Sequence, residues 1–117
     1  MLLVWYPKCT TCQRAKKWLD DNGFVYDLRD IKEENPSAQE LKQWYAESGL
    51  SLRRFFNTSG LLYRGMGLKE KLTTMSEEEQ LALLSEYGML VKRPVLIAED
   101  KILLGFKEAE WAAALKK

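Results

Sequence analysis

Leu2-Leu3-Val4-Trp5-Tyr6-Pro7-Lys8-Cys9-Thr10-Thr11-Cys12-Gln13-Arg14 reads as a short buried strand that breaks at a proline and continues into a helix. A Cys-x-x-Cys pair sits on the join. A thiol at a helix start meets unpaired backbone N–H groups and the positive end of the helix dipole. Both favour the thiolate, the form that attacks disulfides and oxyanions.

Working outward, Thr10 to about Asp21 has helical periodicity. Ala15, Trp18 and Leu19 fall on one face, Arg14, Lys16 and Lys17 largely on the other, and Asn22-Gly23 is the stop. Phe24-Val25-Tyr26-Asp27-Leu28 reads as a second strand, so the first helix is expected to link two parallel strands by a right-handed crossover. Asn35-Pro36 opens the next helix, with Ser37 and Glu40 spaced as an alternative capping box and Leu41, Trp44 and Tyr45 on its apolar face. Leu50 to Phe56 suggests one or two further helical turns, Asn57-Thr58-Ser59-Gly60 a loop, and Leu68 to Leu72 a short helix. Ser76-x-x-Glu79 is a capping box before a helix whose buried stripe is Leu81, Leu84 and Tyr87 and whose stop is Gly88. Val95 to Ala98 and Lys101 to Leu104 form a hairpin around Glu99-Asp100, and Lys107 to Leu115 a closing helix with Trp111 and Leu115 inward. The order is β-α-β, a helical middle, then β-β-α. We expect one α/β domain over residues 1–117, with a helical insertion at about 35–88.

Bulk properties narrow the function. The chain has 117 residues, 46% hydrophobic and 30% charged, with a net charge of +1. Near-neutrality argues against a general electrostatic grip on nucleic acid. The apolar run at Met1–Tyr6 is too short for a signal-peptide core or a membrane span, so a cytoplasmic location is expected. There a lone cysteine pair is more often catalytic, redox-sensing or metal-binding than structural. With no histidine and two cysteines, a Cys-His nucleophile is excluded. A closed zinc site, which needs four ligands, would require a second chain.

Cys9 is therefore the candidate nucleophile and Cys12, about one turn on, the candidate resolving thiol. Thiolate pKa values in such settings fall to about 3.5–7.5. Lys8 and Arg14 would add positive potential. The plainer alternatives are two structural cysteines or half a metal site. Arg93-Pro94 is the second informative point. A cis bond there would aim the backbone of residue 93 at a substrate and bring a fixed cation beside Cys9; the alternative is a solvated arginine. Arg53-Arg54 and Lys69/Lys71 read as solvated helix faces, and Trp5, Trp18, Trp44 and Trp111 as core. Phe55-Phe56 anchors the polar Asn57–Gly60 loop, and such loops often carry function.

Taken in order along the chain, Tyr6-Pro7-Lys8-Cys9-Thr10-Thr11-Cys12, Leu52-Arg53-Arg54-Phe55-Phe56-Asn57-Thr58-Ser59-Gly60, Arg93-Pro94-Val95-Leu96 and Gly105-Phe106 resemble the arsenate reductase (ArsC)/Spx family. The resemblance implies a thioredoxin-like fold, a four-stranded mixed sheet carrying a helical insertion. In the glutaredoxin-coupled arsenate reductases of this family one cysteine attacks arsenate, three arginines hold the oxyanion, and glutathione with glutaredoxin releases arsenite. The nucleophile aligns with Cys9 and the arginine before proline with Arg93. The mid-chain arginine position holds Asn57, and the C-terminal one falls at about Gly105. Each charge-assisted contact to an anion is worth roughly 1.5–3 kcal/mol, so two missing cations predict arsenate capture weaker by orders of magnitude. The resemblance thus implies a thiol-disulfide oxidoreductase, with Cys9 and Cys12 catalytic and Arg93, Pro94, Lys8 and Asn57 binding substrate. No bound cofactor is expected, and glutathione/glutaredoxin or thioredoxin would supply electrons. The other branch of the family implies an Spx-like regulator, switched by a Cys9–Cys12 disulfide and binding the carboxy-terminal domain of the RNA polymerase α-subunit.

Overall fold

The structure, a computed structural model, describes residues 1–115. It divides into two compact units. One comprises Met1–Asp30 and the chain from Arg93 onward, the other Ile31–Lys92. No helix among the described residues is long and apolar enough to cross a membrane.

The first unit is built on a mixed sheet in the order β2-β1-β3-β4. Strand β1 (Leu2–Trp5) pairs in parallel with β2 (Asp27–Asp30) and antiparallel with β3 (Val95–Ile97), which forms a hairpin with β4 (Ile102–Leu104). Helix α1 (Thr10–Asp21) makes the β1-to-β2 crossover, and α6 (Glu108–Leu115) closes the unit. The core joins Leu3 of β1, Ala15, Trp18 and Leu19 of α1, Leu96 of β3 and Trp111 of α6, all buried. Trp18 and Trp111 meet edge-on at 6.2 Å, and the Trp111 indole N–H donates to the Gly105 carbonyl at 3.0 Å. Trp5 is only half-buried and packs at the edge of this cluster, as does Leu115.

Strand β2 lies further along the chain than the expected Phe24–Leu28. Phe24 is spent on the helix exit. Its N–H donates to the Leu19 carbonyl at 3.0 Å, and its ring stacks on Trp18 at 5.7 Å. Val25 is left 90% exposed. Pairing begins where the Asp27 N–H reaches the Met1 carbonyl. The apolar character of Phe24 thus reports packing against α1, not strand, and that of Val25 reports neither.

The second unit is helical: α2 (Ala38–Ser48), α3 (Leu61–Gly65), α4 (Leu68–Lys71) and α5 (Glu77–Glu86). Ser37 and Ser76 each form a complete capping box, with Glu40 and Glu79 respectively. The turns expected from Leu50 to Phe56 form a single 3₁₀ segment, Leu52–Phe55, with Leu52 and Phe55 buried. Helix α3 has no counterpart in the sequence reading, because Gly60 and Gly65 frame a stretch of only five residues. Tyr87 departs from its expected buried role. Helix α5 ends at Glu86, and Tyr87 follows in an extended conformation with 40% of its surface exposed.

Candidate functional site

The loop after β1 is wound tightly by local bonds. The Cys9 N–H donates to the Tyr6 carbonyl at 2.9 Å, closing a turn in which Pro7 takes the position where its fixed φ is an advantage. The Gln13 side-chain amide donates back to the Pro7 carbonyl at 2.7 Å. Cys9 is the N-cap of α1, and its carbonyl accepts the first helical bond, from Gln13, at 3.0 Å. Helix geometry then places Cys12 at the third helical position, buried, while Cys9 stays half-buried. Both are free thiols.

The two thiols are shifted in opposite directions. Burial pushes the Cys9 thiol up, but the backbone N–H of Cys12, the Cys12 S–H, the Arg93 charge and the Thr11 N–H together hold it below its ordinary value. No hydrogen bond of conventional cap geometry reaches the Cys9 sulfur. The helix N–H groups nonetheless lie close enough to favour its anion. Cys12 is pushed up to about 12, first by burial and then by donating its proton toward Cys9. The Tyr6 N–H and the Arg93 charge oppose this without overcoming it. The shifts favour the anion at Cys9 over Cys12 and the thiol at Cys12.

Arg93 is brought to this pair by the sheet. It stands just ahead of β3, and its guanidinium lies over the Tyr6 ring, 5.5 Å from the centroid. The Arg93–Pro94 peptide is cis and Pro94 is buried. The Pro94 carbonyl accepts from the Gly105 N–H at 2.9 Å, and Gly105 has φ +70°, a conformation that favours glycine over a side chain such as arginine. Of the residues anticipated from sequence, Cys9, Cys12, Arg93 and Pro94 therefore share the sheet unit in one bonded arrangement. Lys8 is exposed on the same loop, and the cation acting on Cys9 is Arg93. Arg14 is exposed on α1. Asn57 belongs to the helical unit, as do its partners Leu90, Gly60 and Ser59. Its N–H donates to the Leu90 carbonyl, its carbonyl accepts from Gly60 at 3.1 Å, and its side-chain oxygen accepts from Ser59.

The ArsC family model matches residues 4–114. The chain belongs to the ArsC family. The YusI protein of Bacillus subtilis (strain 168) is 53% identical over 95% of this chain and 94% of its own length. The regulatory protein MgsR of the same organism is 28% identical over 96% of this chain and 87% of its own. Among solved structures, a Bacteroides fragilis protein related to the ArsC family superposes with TM-score 0.92 at 51% identity, covering 96% of this chain and 94% of that one. A Streptococcus mutans protein described as a possible arsenate reductase gives TM-score 0.88 at 46% identity, with 97% of both chains covered. The ArsC fold is thus thioredoxin-like, as its strand order indicates. Tyr6 and Thr11 act on the cysteine pair although reading the sequence left them without a role. Their contributions come from backbone groups and from strand register, which residue type does not announce.

Proposed function

We propose that this ArsC-family protein is a dithiol redox protein that reduces disulfide-type substrates. The observation that carries the reading is the placement of the pair, Cys9 as the half-buried N-cap of α1 and Cys12 buried at its third position, with Cys9 shifted toward the thiolate and Cys12 toward the thiol. The Cys9 thiolate attacks one sulfur of a substrate disulfide, forming a Cys9–substrate disulfide and releasing the other half as a thiolate. Cys9 then no longer carries a charge or accepts the Cys12 proton, which removes the part of the upward shift of Cys12 that Cys9 adds to burial. Cys12 gives its proton to the thiolate released in the first step and attacks the Cys9 sulfur, and the remaining half-substrate leaves as a thiolate. Two electrons pass to the substrate, and the protein is left with a Cys9–Cys12 disulfide. Thioredoxin, or glutaredoxin with glutathione, returns the electrons.

Arsenate is the weaker substrate in this reading. Arg93 is the one member of the three-arginine pattern present at its aligned position, while Asn57 and Gly105 stand at the other two. The test is steady-state turnover of a small disulfide and of arsenate, each with the thioredoxin and the glutaredoxin–glutathione systems. Disulfide reduction is expected with at least one donor, with arsenate reduction slower by orders of magnitude. Arsenate turnover matching that of the disulfide, or no disulfide turnover with either donor, would refute the proposal.

The similarity to MgsR, a protein named as regulatory, favours a second reading. In it the same disulfide switches binding to the carboxy-terminal domain of the RNA polymerase α-subunit. Calorimetry with that domain decides it, and absence of binding in both redox states removes it.

A further inference from the structure

The antiparallel register of β1 and β3 pairs Leu2 with Ile97, Leu3 with Leu96 and Val4 with Val95. This pairing brings Tyr6, which follows β1, and Arg93, which precedes β3, to the same end of the sheet. The guanidinium lies over the Tyr6 ring at 5.5 Å, within the range of a cation–π contact. The Tyr6 backbone is engaged on the cysteine side as well. Its carbonyl accepts from the Cys9 N–H at 2.9 Å, and its N–H acts on the Cys12 sulfur. One residue thus touches the cation and both halves of the thiol pair.

We infer that Tyr6 is a positioning residue for the chemistry of Cys9, its ring serving as the shelf that keeps the Arg93 guanidinium within reach of the attacking sulfur. An arginine side chain has many rotamers, and holding it in one of them costs entropy that a π face in contact can offset. The phenol hydroxyl has no part in this, so phenylalanine retains the function and an aliphatic side chain loses it. The titratable and charged groups around Cys9 are Cys12 on α1, Arg93 ahead of β3, and Lys8 and Tyr6 on its own loop. Of these, Tyr6 acts through Arg93. The inference deepens the dithiol reading and rests on it for its significance.

The experiment is the pH dependence of Cys9 alkylation by iodoacetamide in the full-length reduced protein, with the modified residue assigned by mass spectrometry. Tyr6→Leu is expected to raise the midpoint by about 0.3–1 pH unit, and Tyr6→Phe to leave it at the wild-type value. Arg93→Ala raises the midpoint too, and in that background Tyr6→Leu adds nothing further. Tyr6→Ile, β-branched and suited to a strand end, replaces Tyr6→Leu if the latter does not fold. An unchanged midpoint in the folded aliphatic variant overturns the inference. So does a shift of equal size with and without Arg93, which would mean that Tyr6 acts through the loop backbone. The readout is ionisation, not turnover, so the two conclusions fail separately. Loss of disulfide turnover in the wild type sinks the dithiol reaction alone, and an unmoved midpoint sinks the role of Tyr6 alone.

Discussion

Cys12→Ser should turn the protein from a turnover reductant into a stoichiometric trap. With no second thiol, the disulfide formed between Cys9 and half the substrate has no internal route to release. Incubation with a small disulfide is expected to leave a mass adduct on Cys9 that accumulates to one per chain and disappears on adding dithiothreitol. Cys9→Ser is expected to form no adduct. Its exchange rate should fall on the order of 10³-fold or more, as when other activated nucleophiles are removed. The asymmetry follows from placement. Cys9 is the half-buried N-cap favoured as an anion, and Cys12 is buried and pushed up to about 12. Intact-mass spectrometry under non-reducing conditions reads both variants. Adduct on Cys12 in the Cys9→Ser protein, at a rate near wild type, would reverse the assigned roles.

The largest effect on stability is expected at Trp111. The side chain is 1% exposed, meets Phe106 edge-on at 4.9 Å and Trp18 at 6.2 Å, and donates its indole N–H to the Gly105 carbonyl. Trp111→Ala removes the ring and leaves a cavity that β-sheet backbone cannot fill, at a cost of about 3–5 kcal/mol. For a chain of this size the melting temperature should drop by roughly 10–20 °C. Trp111→Phe keeps most of the apolar contact but strands the Gly105 carbonyl, so its stability should fall between those of the wild type and the alanine variant. Urea unfolding followed by circular dichroism checks this. A loss below about 1 kcal/mol for the alanine variant would show that the core does not depend on this ring. Because the Gly105 N–H holds the Pro94 carbonyl, the same variant should also loosen the backbone beside Arg93.

What the sequence reveals, and what it hides, divides along the range of the interactions. At α2 the alternative start, Ser37 with Glu40, is the cap formed, and Asn35-Pro36 lies before the helix; Ser76 is legible as a helix start because a capping box is complete within four residues. Cys9 as N-cap, the β-α-β crossover and the hairpin around Glu99-Asp100 are legible for the same reason. Strand β2 is misplaced by periodicity because Phe24 is apolar for a tertiary reason, its stacking on Trp18. Tyr87 is misassigned because periodicity cannot say that the helix ends one residue earlier. Helix α3 is hidden by flanking glycines. At the site, the Cys9–Cys12 pair and Arg93 can be picked out by residue type. The Tyr6 shelf cannot, since it depends on the β1–β3 register, and that register emerges only when two distant segments pair.

The sheet unit is discontinuous in sequence: β1, α1 and β2 come from the first thirty residues, β3, β4 and α6 from the end. During vectorial synthesis both cysteines leave the ribosome long before Arg93, Pro94 or the strand that carries them exists. For most of translation the pair lacks the Arg93 charge, and the contributions to Cys9 from Cys12 and Thr11 come from its own helix. The cationic part of the Cys9 environment thus arrives last, as a property of the completed sheet.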